Sequence, residues 1–491
     1  MIHVKRFIEG ENRFQSTLFP ESLDEYIAED NAIRVIDAFV AKRDLQALGF
    51  KRAEPSVTGR PCYHPSMLLK LYVYGYMNRI QSSRRLERES HRNVELIWLT
   101  GRLMPDHKTI ANFRRDNRKA IRRVCREFVE VCREVDLFSR TLIAIDGSKF
   151  KAVNSRDKNF TRKSVARRIK KTEANIERYL AKLDAADREE PEIREITTEE
   201  LKGKIATMEA KLDELNQRAA EVEADPDKQV SVTDPDARSM TKTGGGTVVG
   251  YNVQTAVDSK HHLIAAHEVT TAPTDRSELS GMAQQAKDAT TDPAEDSGDS
   301  TAQSFTVVAD PGYYKGEEIV KCYRNGIRAL VPKIDTSGKT KKGEFTRAEF
   351  IYEAGHDVYR CPAGERAIYR YSSQARGQQL RRYWSSACPH CPLKPRCTSG
   401  QNRRISRWVD EHWLEAAQAQ LKKDPDAMRK RKQLVEHPYG TIKHWMGSTH
   451  FLMKRLENVQ AEMSLHVLAY NLKRAISVLG VPAILAKLQA A

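Results

Sequence analysis

Two short apolar runs in this chain stop on an aspartate: Leu142-Ile143-Ala144-Ile145-Asp146-Gly147 and Phe305-Thr306-Val307-Val308-Ala309-Asp310-Pro311-Gly312. Runs of this length, rich in Val and Ile and closed by Gly or Pro-Gly, read as buried strands followed by turns. Such a strand delivers a carboxylate at the edge of a sheet. A third segment, Val435-Glu436-His437-Pro438-Tyr439-Gly440-Thr441-Ile442-Lys443, sets a glutamate seven residues before a lysine. That spacing is two helical turns, so both side chains are expected on one helix face. Pro438 fits only a first turn or a bend, which places Glu436 near one or the other. Three converging carboxylates suit hard cations. Mg2+ takes one or two carboxylates per ion and keeps waters, so three acids can hold two ions that share one of them. Mn2+ fits the same oxygens. Two such ions clamp the attacking and leaving oxygens of a phosphodiester. Taken singly, each aspartate reads as a plain strand-end turn residue, and an ordinary amphipathic helix is the alternative for the glutamate segment. Only the combination points to a metal site.

The charge balance points the same way. Lys and Arg number 82 against 66 Asp and Glu, a net charge of +16, which favours a polyanionic partner, nucleic acid first. Residues 60–140 hold 18 basic against 9 acidic side chains, which makes them the expected DNA contact. Within them Pro105-Asp106-His107-Lys108-Thr109-Ile110 reads as a capped start leading into a basic helix, the pattern of a recognition helix. Arg84, Arg85, Lys108, Arg114, Arg115 and Arg118 are the candidate contacts. The alternative is an exposed helix whose arginines are simply solvated. The N-terminal residues lack the apolar stretch of a signal peptide, and no run approaches a membrane span. A cytoplasmic, nucleoid-associated protein with no membrane partner is expected.

At 491 residues the chain is long enough for two to four domains. Residues 1–57 read as a helical lead-in and 58–140 as a basic helical DNA-binding domain. Residues 141–158 open an α/β core. In 159–227, Ile169, Ile176, Leu180 and Leu183, then Leu201, Ile205, Met208, Leu212 and Leu215, recur at helical spacing on either side of Glu189-Glu190-Pro191. A Thr197 to Glu200 capping box opens the second run, so an inserted helical hairpin is expected. Beyond it the period changes to two over Val249 to Val257, and residues 228–340 continue the core as strands and helices. Residues 341–425 read as an inserted β-rich subdomain and 426–491 as C-terminal core helices.

The inserted subdomain carries Cys361, Cys388, Cys391 and Cys397. Two cysteines with a two-residue gap and two further thiols suit a structural Zn2+ with no open position. The spacing to Cys397 is longer than in a regular zinc ribbon, which leaves a site using His390, or no metal, as alternatives. Tyr359, Tyr369, Tyr371, Tyr383 and Trp384 interleave with Arg360, Arg366, Arg370, Arg376, Arg381 and Arg382. This mix either stacks on bases and grips phosphates or forms a small β core with a solvated rim. Trp384 and Trp408 are candidates for stacking on an unpaired base.

The Ile-Asp-Gly-Ser-Lys-Phe run at 145–150, the Ala-Asp-Pro-Gly-Tyr-Tyr run at 309–314 and the segment from Val435 to Trp445 resemble the motifs of DDE transposases of bacterial insertion sequences, especially the insertion-sequence 1182 group. The basic region before Asp146 resembles that group's N-terminal domain. The resemblance spans roughly residues 60–475. It implies a ribonuclease H-like core with Asp146, Asp310 and Glu436 as Mg2+- or Mn2+-binding catalytic acids. It also implies cleavage of double-stranded DNA at terminal inverted repeats, strand transfer into target DNA, and a homodimer or higher oligomer on DNA. Lys443 and Lys149 are expected to steady phosphates. Where the wider family has a tyrosine and an arginine before the glutamate, this chain has Arg429 and Lys432; Lys432 keeps the charge but not a bidentate grip. The rival expectations are a stand-alone nuclease and a catalytically inactive, transposase-derived DNA-binding protein.

Overall fold

Described here is a computed structural model in which residues 22–55, 61–186, 198–241, 245–291, 305–333, 343–375 and 377–490 are placed. They divide into two compact units. One comprises the described parts of Met1–Val131 with Trp445–Gly447 and Ala461–Ala491, the other those of Cys132–His444 and Ser448–Gln460.

The first unit is helical. It holds α1 (Ala32–Ala41), α2 (Pro65–Met77), α3 (Ser83–Ser90), α4 (Val94–Thr100), α5 (His107–Asp116) and most of α6 (Arg118–Glu134), together with most of the helix Leu456–Leu479 and all of Val481–Ala490. Side chains set the helix starts: Asn31 accepts from the Ile33 N–H, and Asp106 from those of Lys108 and Thr109. The capped start expected at Asp106 is therefore present. On α5, Ile110, Phe113 and Arg114 face inward at helical spacing. Arg114 is consequently a core residue. Its Nη1 donates to the Tyr76 hydroxyl at 2.7 Å and its guanidinium lies 5.3 Å from the Tyr72 ring. This corrects its expected role at DNA, because the helical phase that buries Ile110 buries the residue four on as well. Arg84, Arg85, Lys108 and Arg115 are exposed, and Arg118 is partly so.

The same interior holds His466, fully buried near Arg114 and packed edge-on to Tyr76 with ring centroids 4.5 Å apart. Glu462, four residues earlier, is also buried. Burial first, and then the Arg114 charge, push His466 down from 6.5 to about 3. Between those values the unfolded chain binds one proton more than the folded one. Stability is therefore lost as pH falls from 6.5 towards 3, by about 1.4 kcal/mol per pH unit. His466→Leu is expected to remove that slope. Denaturant unfolding at pH 7 and pH 5 measures it, and equal slopes in the two proteins would refute the assignment.

The second unit is built on a mixed sheet. Its strands, in chain order, begin with β1 (Leu142–Lys151), followed after the short pair β2 (Asn159–Thr161) and β3 (Gln229–Ser231) by β4 (Arg238–Thr241), β5 (Thr247–Asp258), β6 (Ile264–Thr270), β7 (Thr306–Ala309) and β8 (Arg328–Leu330). The order across the sheet is β4-β5-β1-β7-β8, with β6 also on β5. β1 is antiparallel to β5 and parallel to β7, which is parallel to β8. Between β2 and β3, α7 (Arg162–Ala186) and α8 (Thr198–Ala224) pack together around Phe160, Val165, Leu215 and Val222. The expected bend at Glu189 to Pro191 and the Thr197 cap lie outside the described residues.

One expectation fails at β1. The strand does not stop at Asp146 but runs five residues further, with Gly147 to Lys151 paired to Gln254 to Gly250. Gly147 is thus a strand residue, and what requires a glycine there is a neighbouring side chain described below. β7 does stop where expected. Asp310 caps a 3-10 turn, Pro311–Tyr313, its carboxylate accepting from the Gly312 N–H at 2.8 Å.

Helices α9 (Leu279–Thr290) and α10 (Gly316–Arg324) follow β6 and β7. A second sheet, β13-β12-β11-β10-β9, is formed by β9 (Ile351–Glu353), β10 (Val358–Arg360), β11 (Arg366–Ala375), β12 (Gln378–Trp384) and β13 (Ile405–Trp408). A short helix, α11 (Lys394–Cys397), precedes its last strand; α12 (Glu411–Lys423) and α13 (Ala427–Gly440) lead back to the large sheet. The aromatic residues of the small sheet are split. Tyr359 and Tyr383 are core with Phe350, Ala367 and Ile405, whereas Tyr369 and Tyr371 are exposed. Trp384 carries the Arg370 and Arg404 guanidiniums within 6 Å of its ring. Trp408 packs against Gly316, where a Cβ would meet its ring at 3.1 Å. Among the described residues no single helix is long and apolar enough to cross a membrane.

Candidate active site

The register of the large sheet assembles the site. Ile145 of β1 lies opposite Ala309 of β7 in a parallel pair, so the next residue of each chain, Asp146 and Asp310, come side by side. Helix α13 passes over β1, β5 and β7. It buries Ala427, Leu434, Val435, Pro438 and Tyr439 at helical spacing. Arg431 shares that inward face. Its Nη2 lies 2.6 Å from Asp146 Oδ1 and 3.6 Å from Asp310 Oδ2, one guanidinium between two carboxylates. Its Nε is buried and has no hydrogen-bond partner among the described residues, so the two acids define its position.

Burial pushes the Asp146 carboxyl up from 3.8 to about 6. The Asp310 and Asp275 charges push in the same direction, while the Arg431 guanidinium and the Gly147 N–H oppose it. Asp146 is therefore an ionised, largely buried acid at neutral pH whose cost a nearby cation offsets. Two tyrosines frame it. The Tyr439 hydroxyl donates to the Asp146 and Val253 carbonyls at 3.0 and 2.7 Å, and Tyr313 bonds through its hydroxyl to Gln254 Oε1.

Glu436 is not brought to the two aspartates. It is 65 % exposed on the outer face of α13, with Lys432 Nζ 3.7 Å from its carboxylate. Arg429 is likewise outward and pairs with Asp426. Lys443 turns the other way, its Nζ donating to Ser148 Oγ at 2.5 Å and lying 4.4 Å from the Phe150 ring. The expectation that Glu436 and Lys443 share a face therefore fails. After Pro438 the chain runs through a π-helical turn, Thr441–Trp445, whose i→i+5 bonding puts more residues in each turn and breaks the seven-residue spacing. Pro438 lies inside α13 near its C-terminal end, not in a first turn. Lys149 points to a carboxylate instead of solvent, its Nζ donating to Asp275 Oδ1 at 3.1 Å.

Among the described residues no three His, Cys, Asp or Glu side chains stand at metal-holding spacing. What is in place is a pair of hard oxygen donors already sharing one cation. That set fits a divalent ion which takes one or two carboxylates and completes its shell with water and phosphate. Cys361, Cys388, Cys391 and Cys397 line one small cavity next to the core of the second sheet. Burial raises the Cys397 thiol, the other three thiols adding to the shift and Arg403 opposing it.

Sequence reasoning missed Arg431, Asp275, Gln254, Tyr313 and Tyr439. A signal existed for two of them. Arg431 and Tyr439 fall on the stripe of Leu434, Val435 and Pro438, so helical phase alone aims both at the sheet.

Two parts of the chain match known families. Residues 21–116 match the family described as Transposase domain (DUF772), and residues 360–476 match the family described as Transposase DDE domain. The second match contains α13 and the first ends at the last residue of α5. No curated protein was found to match the chain.

Proposed function

We propose that this chain is a DDE transposase of the insertion-sequence 1182 type, cutting double-stranded DNA at element ends and joining the freed ends to target DNA. The two family matches support a transposase. The observation that carries the reading to chemistry is the convergence of Asp146 and Asp310 from parallel neighbours onto one buried guanidinium. The large sheet, with its parallel β1-β7-β8 run and antiparallel β5 and β6, is read as the ribonuclease H-like core.

In this reading Asp146 and Asp310 hold Mg2+ or Mn2+, which when bound would lower the pKa of an attacking water and neutralise charge on the phosphodiester. Glu436 is the third acid. It stands on the outer face of α13, 65 % exposed, so joining the two aspartates requires this part of the helix to turn or shift, not a change of side-chain rotamer alone. Arg431, once another cation neutralises the acids, has a planar fork suited to a phosphate. The exposed Arg84, Arg85, Lys108 and Arg115 are read as the grip on the terminal repeat. Two ends must be joined together, so the active species is a dimer or higher oligomer.

The test is to incubate the purified full chain with Mg2+, a target plasmid and a duplex carrying the inverted repeats that flank its gene. Cleavage followed by joining is expected. Cleavage without joining would leave a nuclease; retention of the duplex without cleavage would leave a DNA-binding protein, the outcome that an outward Glu436 would then explain.

The four cysteines line one cavity without standing at metal-holding spacing, so the structural Zn2+ read here requires their side chains to draw together around the ion. Elemental analysis of the protein purified without chelator is expected to give about one zinc per chain. Loss of that zinc on Cys391→Ser, with lower thermal stability, is the accompanying result. A zinc-free protein of unchanged stability would reduce the four cysteines to packing residues.

A further inference from the structure

We propose that Asp275 is a positioning residue of the active site, tying down through Lys149 the strand that carries Asp146 and, through Gln254 and Tyr313, the turn that presents Asp310. The inference rests on the reading that Asp146 and Asp310 hold a divalent ion.

The starting point is Gly147. It sits inside β1 in extended pairing with Gln254, so no turn conformation demands a glycine there. Space does. A Cβ at this position would lie 2.4 Å from Asp275 Oδ1 and 2.5 Å from Gln254 Nε2. The strand is bare immediately after its catalytic acid because the loop following β6 presses a carboxylate against it.

That carboxylate oxygen is fully engaged. Asp275 Oδ1 accepts from Lys149 Nζ at 3.1 Å, Asn252 Nδ2 at 2.7 Å and Gln254 Nε2 at 2.7 Å. Asn252 and Gln254 are fully buried on β5, opposite Lys149 and Gly147, just beyond Asp146 along β1. Three donors converging on one oxygen describe an anchor, not an open metal ligand. The anchor also decides which way the Gln254 amide faces. An ionised carboxylate can only accept, so Nε2 turns to Asp275 and Oε1 is left for the buried Tyr313 hydroxyl. Tyr313 closes the 3-10 turn that Asp310 caps. A continuous path of hydrogen bonds thus runs from Asp275 through Gln254 to the turn bearing Asp310, while the Lys149 arm ends three residues from Asp146 on β1. Removing the carboxylate strands the buried Gln254 amide donor and the Lys149 ammonium, leaves Asn252 Nδ2 only the Ala272 carbonyl at 3.2 Å, and loosens the Asp310 turn relative to Asp146.

The experiment measures Mn2+ binding to the DNA-free full chain by calorimetry, together with the Mn2+ concentration that gives half-maximal cleavage, for wild type, Asp146→Asn, Asp275→Ala, Asp275→Asn and Gly147→Ala. Thermal unfolding without metal confirms that each protein is folded. Asp275→Ala is expected to raise both midpoints tenfold or more. Gly147→Ala, whose methyl displaces the same carboxylate, should do likewise. Asp275→Asn keeps the acceptor oxygen and the volume and should raise the midpoints only two- to threefold. A purely structural role would lower the melting temperature and the active fraction while leaving both midpoints in place, and that result in a folded Asp275→Ala overturns the proposal. Should Asp275→Ala not fold, Asp275→Asn decides: a raised midpoint supports the proposal and an unchanged one overturns it. If wild type binds no Mn2+, or Asp146→Asn binds and cleaves as wild type does, it is the metal-site reading that falls.

Discussion

Asp146→Asn, with Asp310→Asn as its counterpart, is expected to abolish strand cleavage while leaving DNA binding and folding intact. The two carboxylates are the acids that the sheet register brings together, and each contributes charge that an amide cannot replace. Electrostatic groups of this kind supply several kcal/mol at the transition state, so a loss on the order of 10³-fold or more in single-turnover cleavage is expected. Stability should move in the opposite direction for Asp146. Its pKa is raised to about 6 against 3.8 in the unfolded chain, so the folded state takes up a proton more readily and the ionised acid opposes folding at neutral pH. A neutral asparagine relieves that cost, although it also loses the Arg431 contact. Unfolding curves should therefore show the Asn variant no less stable than wild type at pH 7.5. A variant that still cleaves at a tenth of the wild-type rate would remove Asp146 from the chemistry; one that fails to cleave because it unfolds would remove the evidence for its role.

How far the site could be read from the chain depended on whether the determining interaction was local. Asp310 is legible because the signal that marks it lies within four residues: an apolar strand, a Pro-Gly and a carboxylate that caps its own turn. Asp146 was singled out on an argument that only half survives. The apolar run before it does form a buried strand, but the following glycine marks a close approach by Asp275, 128 residues later in sequence, and not a turn. No periodicity announces such a contact. Asp275 stands in the polar segment Thr274-Asp275-Arg276-Ser277, which by composition is a loop like any other. The pairing of Glu436 with Lys443 failed because a spacing rule for the α-helix was applied across a π-turn, whose presence Pro438 hints at but does not fix. Arg114 shows the converse. Its charge suggested DNA, while its phase with Ile110 and Phe113 placed it in the core, and burial with Tyr76 and Tyr72 was the stronger claim. The grouping of residues 461–491 with the N-terminal helices was also beyond reach, since an apolar helix reveals that it will be buried but not against which partner.

Arg431→Ala is expected to separate metal affinity from catalysis. In the protein as described, the guanidinium already occupies the space between Asp146 and Asp310, so an incoming cation must displace it. Arg431 is 13 % exposed and Asp146 22 %, a pair buried deeply enough that losing one partner leaves a costly charge behind. Without the arginine the two carboxylates repel each other, and the metal-free protein should be destabilised by about 2 kcal/mol, below the range for fully buried pairs because both side chains retain some solvent. The same repulsion makes the empty pair a better cation site. Mn2+ should therefore bind about tenfold more tightly to Arg431→Ala than to wild type, equivalent to about 1.4 kcal/mol, and restore most of the lost stability on saturation. Cleavage at saturating Mn2+ should nevertheless fall, because the fork that would turn to the scissile phosphate is gone. Arg431→Lys should recover metal-free stability more fully than it recovers cleavage, since lysine supplies the charge without the planar geometry. Calorimetry with Mn2+, thermal unfolding with and without the ion, and cleavage at saturation read the three quantities separately. Weaker Mn2+ binding in Arg431→Ala would show that the arginine holds the acids in position for the metal instead of competing with it. Unchanged cleavage at saturation would confine Arg431 to the metal-free state.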